Sequence, residues 1–497
     1  MTTTFGAPAS RKKKSGRRGS HALRWWVLVV LGVAQLMVML DATVVNIALP
    51  AAQRDLGFSD GDRQWIITGY ALAFGSLLLL GGRLGDLFGR RTTFVIGLVG
   101  FAGASAVGGA ANSFDLLVAA RVGQGVFAAL LAPAALSLLT VTFTERSERA
   151  KAFGIFSALS GAGAAVGLLL GGMLTEWASW RWVMFVNLFF AGFALIGALL
   201  LLAKHAATER PKLDLPGIVV VSTALFAIVY GFSHVESTSW TNSVTLGCLI
   251  GGVVLLAVFV WLEAKVAHPL LPLRLVLDRT RGGSFLSVLV IGMGMFSIFL
   301  FLTFYLEMSL GYTPIVTGLA FLPMVAAIVV TSTTVPSLVL PRVGPKIVIS
   351  VSFLVSAAGM VLLTRLGLDS GFVVDIMPGL ILLGVGLGGV MTTAFEGATA
   401  GIHHEDAGVA SALINTSQQV GGSISTALLT TAATSAATDY LSSHPPGPTT
   451  AALAHVESYT ATFTWGAWIF VAGAVISAVL VPNSRFAPSE GEPVLVH

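Results

Sequence analysis

Two side chains carry charge where the surrounding sequence is least able to hold it. Asp41 lies in LDATVVNIALP and Arg121 in RVGQG, each inside a long run of Leu, Val, Ala and Gly. A charge in hydrocarbon costs at least a few kcal/mol, so each is a functional candidate by default. Asp41 precedes Pro50 and Arg121 follows Ser113 by similar numbers of residues, which at about 1.5 Å per residue puts both roughly 12–14 Å below one surface. Opposite charges at equal depth compensate each other. Gln124, on the same helix face as Arg121, can hydrogen-bond either partner. Two readings stay open: a static ion pair that fixes helix register, and a proton site. Burial disfavours a charged carboxylate and a nearby guanidinium favours it. Movements that change the Asp41–Arg121 separation would then change proton affinity, and cargo competing for Asp41 would be coupled to proton release.

Other polar groups are candidates for lining a cavity. Glu307 in FYLEMSLGY is read as an interfacial group or a cation-binding acid, and Glu396 in TTAFEGATAG as a buried acid or one facing water. Asn415, Gln418 and Gln419 in ALINTSQQVGG line a cavity or bond between helices. His403, His404, Glu405 and Asp406 form the nearest approach to a metal cluster and read as a solvated turn. No H-E-x-x-H pattern, no nucleophile beside a base and no phosphate loop occurs, so the expectation is not an enzyme, with no cofactor and an ion gradient as energy source.

The elements that must position these residues follow from composition. Of 497 residues 55% are hydrophobic and 10% charged, with mean hydropathy +0.86. A soluble domain carries about 25% charged residues, so a soluble enzyme and a disordered scaffold are excluded. The apolar runs are too long for the short alternating strands of an outer-membrane barrel. Dividing the chain by roughly 35 residues per helix and connection gives about fourteen spans. The runs lie near 25–49, 63–82, 92–111, 115–143, 150–175, 182–203, 215–234, 242–263, 283–306, 314–339, 347–365, 375–400, 407–433 and 461–481. The expected class is an all-α membrane protein. Cys248 alone excludes an intramolecular disulfide.

The basic segment RKKKSGRR before the first span reads as a topology signal against anionic lipid, not a nucleic-acid arm. With the N-terminus in the cytoplasm, of 28 cations only Arg54, Arg63, Arg181 and Arg365 fall in outer segments and Arg121 in a span. That is the positive-inside pattern, and it places both termini in the cytoplasm of a cell-membrane protein. Trp25, Trp26, Trp65, Trp180, Trp182, Trp465 and Trp468 stand near span ends as interface anchors. The outer stretch 434–460 reads as a flexible connection.

Many of the 56 glycines lie within spans, where small residues let helices pack closely or slide. Gly163, Gly167 and Gly171 fall on one face of the fifth span. The loops GRLGDLFGRR (Gly82 to Arg91) and LPRVGPK (Leu340 to Lys346) occupy matching places. They divide the chain into a basic tail 1–24, a six-helix unit 25–203, two added helices with linkers 204–281, a second six-helix unit 282–481 and a tail 482–497. Repeated halves around a central cavity point to a transporter. Asp86, Arg90 and Arg91 in the first loop read as a charge latch holding one conformation.

Together these motifs resemble the major facilitator superfamily, in its 14-helix drug:proton antiporter branch of EmrB/QacA type. LDATVVNIALP resembles the branch's first-span motif and assigns its membrane acid to Asp41. The loop motif is matched at Gly82, Leu84, Asp86, Gly89, Arg90 and Arg91, and R-x-x-Q-G at Arg121, Gln124 and Gly125. SWRWVMFVN, HPLLPLRL and AGVASALINTSQQVGG are similar to the branch as well. The antiporter motif of span five departs from its pattern: GAAVGLLLGG keeps Gly163, Gly167, Gly171 and Gly172 but has Leu168 in place of Pro. The resemblance implies a monomeric proton-coupled exporter of lipophilic or cationic small molecules working by alternating access. An uptake symporter for a small organic solute, of the same fold, is the alternative.

Overall fold

The computed structural model describes residues 13–58, 62–202, 214–266, 269–402 and 406–483, and every regular element among them is helical. Hydrocarbon offers backbone amides no partner, so a membrane-spanning chain must satisfy them within each helix or in a closed barrel. The helices are α1 (Lys13–Leu56), α2 (Arg63–Phe88), α3 (Arg90–Gly109), α4 (Phe114–Thr142), α5 (Arg146–Trp177), α6 (Trp182–Leu201), α7 (Leu215–Ser237) and α8 (Ser243–Glu263). After the short α9 (Leu273–Leu277) come α10 (Arg279–Ser297), α11 (Pro314–Ala320), α12 (Leu322–Thr334), α13 (Leu340–Val343), α14 (Pro345–Leu363), α15 (Met377–Ala398), α16 (Ala407–Ser443) and α17 (Thr450–Leu480). Wider π turns extend α10 over Ile298–Leu302 and Tyr305–Ser309, join α12 to α13, and lead into α15.

Twelve helices among the described residues are long and apolar enough to cross a membrane. The two other runs expected to span fall on α5 and α16, helices of 32 and 37 residues. Of the two, α16 is diluted by Gly, Ser, Thr, Asn and Gln. In α16 the hydroxyls turn back on the helix itself: Ser411 donates to the Ala407 carbonyl at 2.7 Å, Thr426 to Gly422 at 3.0 Å and Thr431 to Ala427 at 2.8 Å. Such back-bonding satisfies polar side chains without water. The same bonding continues into 434–460, where Thr438 donates to the Thr434 carbonyl at 2.8 Å and Ser443 to Asp439 at 2.7 Å, so that stretch is not the flexible connection its composition suggests. The helix continues to Ser443, α17 begins at Thr450, and only a short link separates them.

Packing repeats along the chain. In the first half α1 packs on α5 and α6, α4 on α2 and α3, and α3 on α6; in the second α10 packs on α16 and α17, α15 on α12 and α14, and α14 on α17. The halves meet in two regions, where α16 packs on α2 and α4 and where α5 packs on α11, α12 and α15. The α7–α8 hairpin touches both, α7 lying on α2 and α16. The two matching loops share their turn: Gly89 and Gly344 adopt φ of 89° and 83°, a region that favours residues without a Cβ. The stretch from Gly82 to Arg91, expected as a loop, is helical on both sides of Gly89, with Asp86 in the last turn of α2; Pro341 holds the matching place before Gly344, so the repeat carries its acid on one side only.

A candidate proton-coupling site

Asp41 is fully buried, and five helices of the first half converge on it. Arg121 of α4, itself 2% exposed, donates from Nη1 to Asp41 Oδ2 at 2.5 Å. Gln124, one turn further along α4, donates from Nε2 to Asp41 Oδ1 at 2.9 Å and to Ser105 Oγ of α3 at 2.7 Å. Asn187 of α6 donates from Nδ2 to Asp41 Oδ1 at 2.6 Å. Arg121 is placed in turn: it donates to Gln124 Oε1 at 2.7 Å and from Nε to the Ile66 carbonyl of α2 at 3.3 Å. Its guanidinium lies 4.4 Å from the centre of the Tyr70 ring. A carboxylate and a guanidinium are tolerated in an apolar interior when hydrogen bonds meet their remaining lone pairs and N–H groups, and this network supplies partners to both Asp41 oxygens and to Arg121 Nε and Nη1.

The pairing expected from matching depth is therefore present, with Gln124 bonded to both members. Asn187, Ser105 and Tyr70 were not singled out from the sequence. An amide within the apolar run 182–203 was the available signal for Asn187, by the reasoning that marked Asp41.

The glycine face of α5 lies against the stretch of α1 that carries Asp41. A Cβ on Gly163 would stand 2.7 Å from Met39 Cβ, one on Gly167 would overlap the Thr43 hydroxyl, and one on Gly171 would stand 2.8 Å from Val44 Cγ2. Gly172 is buried beside them. The absent side chains let two backbones approach closely.

The expected latch residues divide their work. Asp86 is buried and faces Arg90 at 3.6 Å. Its carboxylate also abuts the first turn of α16, where a Cβ on Gly408 would stand 2.6 and 2.7 Å from its two oxygens. A helix N-terminus presents unpaired N–H groups and a partial positive charge. Gly82 adds close contact there, since its Cβ would lie 2.6 Å from the Gly408 carbonyl oxygen. Arg91 points elsewhere, donating to the Leu199 carbonyl at the end of α6 at 3.1 Å. Where α5 meets the end of α15 the contact holds a cation instead: Arg149 of α5 donates to the Thr399 carbonyl and hydroxyl at 2.6 and 2.8 Å.

The remaining candidates lie outside the Asp41 network. Asn415 is buried and donates to its own helix at Ser411. Gln418 and Gln419 are half-buried, with the Gln418 carbonyl against Gly292 and the Gln419 side chain against Gly75 of α2. Glu307 is half-buried in the π turn ending α10. Glu396 is 5% exposed, so it does not face water as one of its two readings held. Trp180 is buried and donates to Asp55 at 3.0 Å, a structural bond rather than a lipid anchor. Asp406 pairs with Arg274 at 2.6 Å; His403, His404 and Glu405 lie outside the described residues.

Comparison with known proteins adds to this geometry. The family model of the Major Facilitator Superfamily matches residues 31–426. The chain is 47% identical over 475 residues to the puromycin resistance protein pur8 of Streptomyces alboniger, covering 95% of this chain and 94% of that one. It is 34% identical over 508 residues to the cephamycin export protein CmcT of Amycolatopsis lactamdurans, covering 100% and 99%. Among solved structures, the human organic anion transporter MFSD10 superposes with a TM-score of 0.63 at 13% identity, covering 91% of this chain and 99% of that one.

Proposed function

This chain belongs to the Major Facilitator Superfamily, and we propose that it is a proton-driven antiporter exporting antibiotic-like small molecules across the cell membrane. It is a transporter, not an enzyme, and relatives of similar length are named for antibiotic resistance and export. In this reading α5 and α16 complete fourteen spans, both termini are cytoplasmic, and the chain works as a monomer with the proton gradient as its energy source. Residues 25–203 and 282–481 are the two units that rock against each other, with the segment 204–281 between them.

The observation that carries this reading is the hydrogen-bond network that Arg121, Gln124 and Asn187 build around buried Asp41. Asp41 as a carboxylate accepts from Arg121, Gln124 and Asn187. After it takes a proton its O–H needs an acceptor, which Gln124 and Asn187 can supply by turning their amide oxygens towards it. Loss of the negative charge also releases Arg121 from its partner. The network thus serves both charge states with different contacts, and that difference is what a coupled transporter needs. Since Asp41 is enclosed by its donors, coupling to cargo runs through movement of α1 against α5, and Gln418 and Gln419 are nearer the interface between halves. The Asp86–α16 contact and the Arg149–Thr399 contact hold the cytoplasmic ends of the halves together.

Everted membrane vesicles energised by a pH gradient test this, with puromycin as the first compound of a panel. Gradient-dependent accumulation in wild type, lost in Asp41→Asn, is the expected result. Accumulation of every transported compound at the wild-type rate in Asp41→Asn overturns proton coupling at this site, and movement in the opposite direction overturns export.

A further inference from the structure

A second pair of buried acids lies at one end of the α7–α8 hairpin, remote in sequence from the Asp41 network. Asp214 precedes α7 and is 6% exposed; Glu263 ends α8 and is 4% exposed. Each has one oxygen accounted for. Asp214 Oδ1 accepts the Gly217 N–H at 3.0 Å, and Glu263 Oε2 accepts the Leu271 N–H at 2.9 Å. The other oxygens, Asp214 Oδ2 and Glu263 Oε1, are shut off from solvent and accept no hydrogen bond. Both point to one spot beside Gly217: a Cβ there would overlap Asp214 Oδ2 and stand 2.7 Å from Glu263 Oε1.

Among the described residues, charges on the neighbouring elements are engaged elsewhere; Lys212 and His268 lie outside the described residues. Lys265 lies over the Trp261 ring at 4.1 Å, Arg274 pairs with Asp406, and Arg90 at the start of α3 faces Asp86 of α2. Arg83 of α2 is buried but makes no ion pair with Asp214 or Glu263 among the described residues. The loop segment that supplies Leu271, 269–272, contains no titratable side chain.

Among the described residues no cation faces this pair, and two carboxylates turned towards each other cannot both be ionised at moderate cost. One hydrogen ion removes the difficulty. It converts one acid to a carboxyl group whose O–H donates to the facing oxygen of the other, so both orphaned oxygens gain a partner and the net charge of the pair falls from two to one. We propose that Asp214 and Glu263 form a second proton-binding site, a carboxylic acid–carboxylate pair holding one hydrogen ion and fastening the end of the α7–α8 hairpin. The site is independent of Asp41.

Infrared spectroscopy of the purified protein through a pH titration tests it, read at the C=O stretch of protonated carboxyl groups. Wild type and Asp41→Asn should both show a carboxyl band that disappears as pH rises, and Glu263→Gln and Asp214→Asn should each lack it. In Glu263→Gln the amide N–H replaces the shared proton, so that variant should fold and lose the fall in Tm that wild type shows as pH rises through the titration. The sign follows from linkage: the folded state binds the extra proton, so rising pH favours the unfolded state. Persistence of the band in a folded Glu263→Gln or Asp214→Asn protein overturns the proposal. So does a Tm profile in Glu263→Gln that falls with pH as wild type does. Should Asp214→Asn fail to fold, because it also caps α7, Glu263→Gln decides the matter alone.

Discussion

Gly167 meets Thr43 across the α1–α5 crossing with no room for a side chain: an added Cβ would overlap the Thr43 hydroxyl and stand 3.1 Å from the Leu40 carbonyl oxygen. Thr43 cannot easily yield, because that hydroxyl donates to Leu40 O at 3.0 Å. Gly167→Ala should therefore cost about 1–3 kcal/mol through overpacking. Gly103→Ala is the control, since a Cβ there meets nothing within 4 Å. Thermal unfolding of both variants in detergent should separate them, and adding Thr43→Ala to Gly167→Ala should restore part of the loss, the signature of direct coupling. If the two single alanine variants unfold together, the close approach is not a constraint on α1.

Removing one member of the buried ion pair should hurt more than removing both. Arg121→Ala strands the Asp41 carboxylate among apolar helices, at a cost of about 3–5 kcal/mol. Asp41→Asn combined with Arg121→Gln leaves two amides that can bond each other and should unfold closer to wild type. Transport separates the static and coupling readings. The double variant should be present in the membrane yet show no gradient-driven accumulation in everted vesicles. Full coupled transport by that variant would reduce the pair to a device for helix register.

Asn187 makes its prediction through hydrogen bonding. It supplies one of the donors on Asp41 Oδ1 and a longer one to Ser105 Oγ at 3.3 Å. Hydrogen bonds to charged groups contribute about 1.5–3 kcal/mol, so Asn187→Ala should lower unfolding free energy by that order and slow proton-driven export. Ser105→Ala, which leaves the contact with Asp41 intact, should cost less. Equal effects of the two substitutions would place the role of Asn187 in packing rather than in holding the acid.

How far the sequence could be read depended on whether a residue's role was local. Asp41 and Arg121 declared themselves because charge in an apolar run is costly wherever the helix packs. Glycines at a helical interval marked a smooth face of α5, but nothing local said that this face meets α1 beside Asp41. Ser105 is of a type frequent in membrane helices, and Asn187 stood out only as an amide in an apolar run; the convergence of α3 and α6 on α1 is what gives both their partners. The Asp214–Glu263 pair was invisible for the same reason: its members are 49 residues apart in sequence and become one group only after α7 and α8 pack. The stretch 434–460 was misread because its Ser and Thr resemble a linker until their hydroxyls are seen bonded to their own helix.

Gly408 gives the test of the crossing between halves. A Cβ there would stand 2.5 Å from the Gly82 carbonyl oxygen and 2.6 Å from an Asp86 oxygen, so Gly408→Ala is a wedge between α2 and α16. Rigid helices cannot absorb the overlap by side-chain rotation, because one obstacle is backbone. Separation of the halves at this end is the cheaper response. The readout is labelling of a cysteine placed at Ala412, which also faces Gly82, by a membrane-impermeant maleimide in a Cys248→Ser background. Gly408→Ala should raise the labelling rate several-fold, and Asp86→Asn should raise it less, since it removes the attraction to the α16 N-terminus without adding bulk. Unchanged labelling in both variants would mean that this contact does not hold the halves together, and the latch assigned to Asp86 would have to be given up.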